Sequence, residues 1–155
     1  MYKMIFTMMG ALLSLGAFSQ DGGAALRKTQ FNTSDGIGIK GYDPVAYFTE
    51  HKAVKGSKDH ATVYAGITYY FSSAANHEAF KKDPARYEPQ YGGWCAYAMG
   101  KKGTKVEVDP ETFKIIDGKL FLFYNQFLNN TLTTWNKDEA NLHQQADKNW
   151  VRLYH

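Results

Sequence analysis

Residues 113–125 read FKIIDGKLFLFYN, and this stretch decides the fold class. Ile115–Ile116 and Leu120–Phe123 are strand formers on either side of Asp117–Gly118, a dipeptide that accepts the left-handed backbone of a two-residue hairpin. Working outward, residues 63–71, VYAGITYYF, repeat the plan with Ala65–Gly66 at the turn. Ser72–Ser73 is then placed to cap a helix over AANHEAFKK, which must stop before Pro84. A helix is predicted after the second hairpin too, with Phe127, Leu128, Leu132 and Trp135 on its apolar face. A last helix is predicted over Asp138–Trp150, because Leu142, Ala146 and Trp150 recur at helical spacing. Ahead of the first hairpin, Asp43 and Pro44 suit the N-cap and first position of a short helix. The expected fold is α+β, built from two strand-turn-strand-helix units. Sliding DPVAYF along GGWCAYA sets Ala46 against Cys95 and Phe48 against Tyr97. Internal duplication is one reading of this order, and chance likeness of two small units is the other.

The bulk composition narrows the class. At 155 residues and 44% hydrophobic, the chain has material for one core. Eighteen basic and fifteen acidic side chains are dispersed along it, which excludes the concentrated basic stripe of a nucleic-acid binder. Residues 1–19 carry one lysine, an apolar run short for a membrane span and the small-residue ending Ala17-Phe18-Ser19, the pattern of a secretory signal peptide. An uncleaved N-terminal anchor is the competing reading. Residues 20–38 are polar, rich in glycine and without periodicity, so a flexible lead-in is expected; the domain proper is placed at 39–150, and 151–155 is read as a tail. The expected setting is periplasmic or secreted, with no transmembrane segment in the mature chain.

Against that setting the single cysteine, Cys95 in YGGWCAYAMG, stands out. An exported chain with an odd cysteine points to a reactive thiol, a metal ligand or an intermolecular pairing, and the alternative is a small buried hydrophobe. Gly92–Gly93 ahead of a helical turn would favour the thiolate, while walls of Trp94 and Tyr97 would favour an inert thiol. Met99 follows at i+4, where its sulfur shares a helix face with Cys95 or fills a core gap. Of five histidines, His60 and His77 are the candidates for an imidazole ligand or base, and His51, His143 and His155 read as surface residues. Asp43 and Asp109 each precede proline and read as helix caps. Tyr42, Tyr47, Tyr91 and Tyr97 are set to line a pocket or fill the core.

The segments GYDPVAYF, VKGS, YAGITYYFSSAANHEAFKKDPARYEPQYGGWCAYAMG, Asp109–Pro110 and DGKLFLFYN resemble the YHS domain family, from Ile39 to Trp150. The likeness is to its exported single-domain branch, which includes selenoproteins. Metal-binding YHS domains carry three cysteines, and the resemblance lays these on Ala46, Ser72 and Asn76. None of the three is a thiol here, so that site is not inherited as it stands, and Ser72 and Asn76 read as hydrogen-bonding replacements. If GGWCAYA is the second-half counterpart of the first motif, the chemistry has moved to Cys95. The resemblance therefore implies binding of a soft metal ion, copper first, through Cys95 with Met99, His77 and His60 as companions, in an accessory or trafficking role rather than as a catalyst. The alternatives are a thiol redox enzyme in which Cys95 attacks a small thiol-reactive substrate, and a non-catalytic module that binds a protein or small ligand.

Overall fold

The computed structural model describes residues 18–154. The expected signal peptide lies outside the described residues apart from its last two, as does His155.

The first difference from expectation comes at once. Helix α1, Phe18–Gln30, occupies much of the stretch read as a flexible lead-in. Its sequence lacks an apolar stripe, and long-range polar contacts hold it instead. The Arg27 guanidinium donates to both Glu88 carboxylate oxygens at 2.7 and 2.6 Å, and its Nε donates to the Ala65 carbonyl at 2.9 Å. The same group lies over the rings of Phe31 and Tyr64, at 4.2 and 5.3 Å from their centroids. Burial pushes the Glu88 carboxyl above the ordinary carboxylate range, and Arg27 works in the opposite direction. These partners lie 38 and 61 residues away in sequence, where periodicity gives no hint of them.

After α1 come two short strands, β1 (Thr33–Ser34) and β2 (Ile37–Gly38), then helix α2 (Ala46–Thr49). The first hairpin follows, β3 (Ser57–Tyr64) and β4 (Ile67–Phe71), with Ala65 and Gly66 both at positive φ as its turn requires. These four strands form one sheet in the order β1-β2-β4-β3, with β2 parallel to β4 and the other pairs antiparallel. Ile67, Tyr69 and Phe71 alternate inward. Helix α3 (Ala74–Lys82) starts where Ser73 Oγ accepts the Asn76 amide at 3.1 Å, and α4 (Pro84–Tyr87) continues from its end.

The second half opens with α5 (Ala96–Lys102), followed by the hairpin β5 (Asp109–Ile116) and β6 (Lys119–Phe123) around Asp117–Gly118. Asp109 thus opens a strand instead of capping a helix. Its carboxylate accepts from the Glu111 amide and the Thr112 hydroxyl. The helix expected to include Phe127 and Leu128 is shorter than predicted. These residues form the turn of a small hairpin, β7 (Asn125–Gln126) and β8 (Asn129–Asn130), and α6 covers only Thr131–Trp135. Asn130 accounts for the shift, because its carboxamide oxygen caps α6 by accepting the Leu132 amide at 3.0 Å. The last helix, α7, runs over Glu139–Leu153 and takes in most of the expected tail.

Strand β6 organises the interior. Leu120 to Phe123 are all buried, so both of its faces are covered. Leu120 and Leu122 join a cluster with Tyr47, Phe71, Phe80 and Cys95, whereas Phe121 and Phe123 join Met99, Trp135, Leu142 and Ala146. Two cores thus share one strand as a wall. Gly100 permits the second to close, since a Cβ there would stand 2.4 Å from the Leu142 carbonyl oxygen.

Candidate functional site

Two arrangements bear on function, one in each half of the chain. In the first half, Asp43 is fully buried. Its Oδ1 accepts the amides of Val45 and Ala46 at 2.8 and 3.3 Å. Its Oδ2 accepts the Ser72 amide at 2.8 Å, the Ser72 hydroxyl at 2.7 Å and the Asn76 carboxamide at 2.8 Å. A buried carboxylate is tolerable when donors surround it in this way. Ala46, Ser72 and Asn76, the positions where the resemblance lays cysteines, therefore do meet, but around Asp43. Their donors are turned onto the carboxylate and none is a soft ligand, so this arrangement does not fit a thiophilic metal.

In the second half Cys95 stands immediately before α5, its amide donating to the Val106 carbonyl at 2.9 Å. The Tyr124 amide donates to Cys95 Sγ at 3.4 Å, and Sγ is also 3.4 Å from Thr131 Oγ1. Thr131 in turn donates its hydroxyl hydrogen to the Tyr124 carbonyl at 2.9 Å. A hydroxyl has one hydrogen to give, so the thiol is the donor toward Thr131. The result is a closed circuit from thiol to hydroxyl to carbonyl, with the amide of the same Tyr124 returning to sulfur. The Thr131 amide also reaches that carbonyl, at 3.0 Å, which leaves the hydroxyl free to turn toward sulfur.

The two halves share a contact. Ser72 follows the last residue of β4 and gives its amide to Asp43; Tyr124 follows the last residue of β6 and gives its amide to Cys95. In each case the acceptor lies at the start of the short helix ahead of the hairpin.

Cys95 has no area open to bulk solvent, yet it borders a cavity of about 440 Å3. Tyr97, Ala98, Val106 and Tyr124 supply apolar walls; Thr104, Asn129 and Thr131 add polar groups, with Lys101 and Lys102 at the remaining side. Tyr97 is thus the one of the four singled-out tyrosines that lines this space. Tyr47 and Tyr91 are buried with their hydroxyls donated to the Pro110 carbonyl and the Asp147 carboxylate, and burial pushes both phenols well up from their ordinary range. Tyr42 is half-buried beneath the Lys55 ammonium.

The companions expected for Cys95 lie elsewhere. Met99 is buried in the core on the other side of β6. His77 stacks on Phe71, with ring centroids 5.0 Å apart, and His60 sits in the irregular part of β3. Neither lines the cavity. Thr131 and Tyr124 are the residues sequence reasoning missed, and the signal available was the parallel between Ser72 after the first hairpin and Tyr124 after the second. His143, read as a surface residue, packs edge-on against Phe121 and reaches Asp147 at 3.7 Å. Among the described residues no three His, Cys, Asp or Glu side chains converge to hold an ion, and no helix is long and apolar enough to cross a membrane.

An α+β unit organised around a buried aspartate between a short helix and the end of a hairpin is the class that fold and site define. The YHS domain family model matches residues 45–91, from the start of α2 to the loop before Cys95. YHS domains occur in families associated with metal binding, copper included. Neither the curated proteins nor the solved structures gave a match.

Proposed function

We propose that this protein receives a thiophilic cargo, copper(I) first among metal ions, in the cavity above Cys95, and acts as an accessory or trafficking protein outside the cytoplasm. The observation that carries this reading is the placing of the chain's one thiol against a ligand-sized space with polar partners on its sulfur. Soft thiolates select copper(I) over the hard cations that need oxygen cages. With Met99 and both histidines away from the space, Cys95 supplies the chain's single soft donor there, and the remaining coordination comes from the molecule that brings the ion. Such sharing suits transfer better than storage. On arrival of the ion the thiol loses its proton, and the Thr131 hydroxyl turns to the sulfur while the Tyr124 amide stays in place. The exported setting rests on the character of residues 1–19.

The test is native mass spectrometry of the chain titrated with copper(I), copper(II) and zinc(II), beside Cys95→Ser. One copper(I) per chain, lost on substitution, is the expected outcome. Uptake that Cys95→Ser leaves unchanged removes Cys95 as the donor.

One observation favours a second reading, a thiol redox role. The Tyr124 amide and Thr131 hydroxyl are positioned to solvate a thiolate attacking a peroxide or disulfide. In that case Cys95 alkylates rapidly below the pH at which an ordinary cysteine ionises, and a sluggish thiol there rules the reading out.

A further inference from the structure

The hairpin of β7 and β8 ends in Phe127 and Leu128, which are 90% and 107% exposed. Both have left-handed backbone, with φ of 52° and 61°. They occupy the two central positions of a two-residue turn, where Asn and Gly fit with least strain and a bulky side chain is an outlier. Neither turn preference nor packing accounts for these two residues. The stem holds them outward: Asn125 pairs with Asn130 and Gln126 with Asn129, and the Asn125 carboxamide donates to Thr112 Oγ1 at 3.0 Å. Asn129, next to Leu128 in the chain, borders the same cavity as Lys101 and Lys102, which are exposed at the end of α5. Neither lysine takes part in an ion pair among the described residues. Two large exposed apolar side chains thus stand within two residues of Asn129, at the wall of the cavity that two adjacent cations also line.

We propose that this face docks on an anionic lipid surface. Phe127 and Leu128 enter the boundary of the acyl chains, and Lys101 and Lys102 meet the headgroup phosphates. Charge argues against a second copy of the chain, because two-fold pairing through this face would bring two lysines from each copy together. Extent argues against a protein partner. Two apolar side chains flanked by asparagine and glutamine fall well short of the roughly 800 Å2 per partner of a stable protein interface. Shallow insertion into lipid needs only an apex and nearby positive charge.

The test places an indole at the apex of the full chain, as Phe127→Trp and separately Leu128→Trp, both positions being exposed. Vesicles of equal parts phosphatidylcholine and phosphatidylglycerol carry brominated acyl chains as quencher. Emission in excess of that from the unsubstituted chain is expected to be quenched. The lipid needed for half of that effect should rise about fivefold for each of Lys101→Gln and Lys102→Gln. Because the signal arises at the apex, attachment of the chain to vesicles through any other segment does not produce it. Excess emission left unquenched while the chain sediments with the vesicles overturns the proposal. So does an emission shift with protein concentration in the absence of lipid, which would assign the apex to a second copy.

Discussion

Asp43 and Cys95 each accept the amide of the residue that follows a hairpin, and the two side chains put that contact to different use. A carboxylate gathers five donors and is buried as structure, while a thiol met by one amide and one hydroxyl is buried at the wall of a cavity. Replacing Asp43 with Ala strands the amides of Val45, Ala46 and Ser72 and the side chains of Ser72 and Asn76, and should cost about 3 kcal/mol or more in chemical denaturation. A loss below about 1 kcal/mol would mean that water replaces the carboxylate with little penalty. For Cys95, the hydroxyl of Thr131 is the adjustable partner. Thr131→Val should slow alkylation of the native thiol about tenfold, the worth of a hydrogen bond to a charged group, and Thr131→Ser should restore the rate. Equal rates in all three chains would remove Thr131 from the site. In the first of these arrangements the hydrogen-bonding character of Ser72 and Asn76 was legible, because they stand where the resemblance lays cysteines, but their meeting on Asp43, read only as a helix cap, was not. The partners of Cys95 were not, since Tyr124 and Thr131 lie 29 and 36 residues away.

Elements whose signal is local were readable. The turns at Ala65–Gly66 and Asp117–Gly118 carry their positive φ in the residues themselves, and Ser73 caps α3 as its position implies. Elements fixed by distant contacts were not. Helix α1 depends on Arg27 reaching Glu88, and Phe127 and Leu128, apolar and correctly spaced for a helix face, lie instead in a hairpin because Asn130 starts α6 three residues later. At the start of α7, Glu139 accepts from the Lys114 ammonium and from the Trp135 indole at 3.0 Å, and the lysine is the main reason its carboxyl is held below the ordinary value of 4.5. A carboxyl depressed on folding stabilises the native state above its unfolded pKa and loses that contribution as pH falls through its folded one. The melting temperature of the unsubstituted chain should therefore exceed that of Glu139→Gln near neutral pH, with the gap closing below pH 4.5. A gap independent of pH would show that Glu139 acts through packing alone.

At the scale of the molecule, β6 separates a core that includes Cys95 from one that includes Met99, and this division decides the composition of the site. Spacing at i and i+4 suggested two sulfurs on one helix face. Cys95 instead stands just before α5, outside the helical register, and Met99 lies inside it, so the strand wall divides them. The YHS match covers residues 45–91 and stops just short of the thiol, which leaves the second half to be read from its own geometry. That geometry makes a single soft donor reached through one cavity the central claim. It is tested most directly by following alkylation of Cys95 in the native chain with and without equimolar copper(I), supplied with a weak carrier. The account predicts that the thiol reacts slowly but completely when metal-free and is fully protected by the ion. Alkylation at the same rate in both conditions would contradict it.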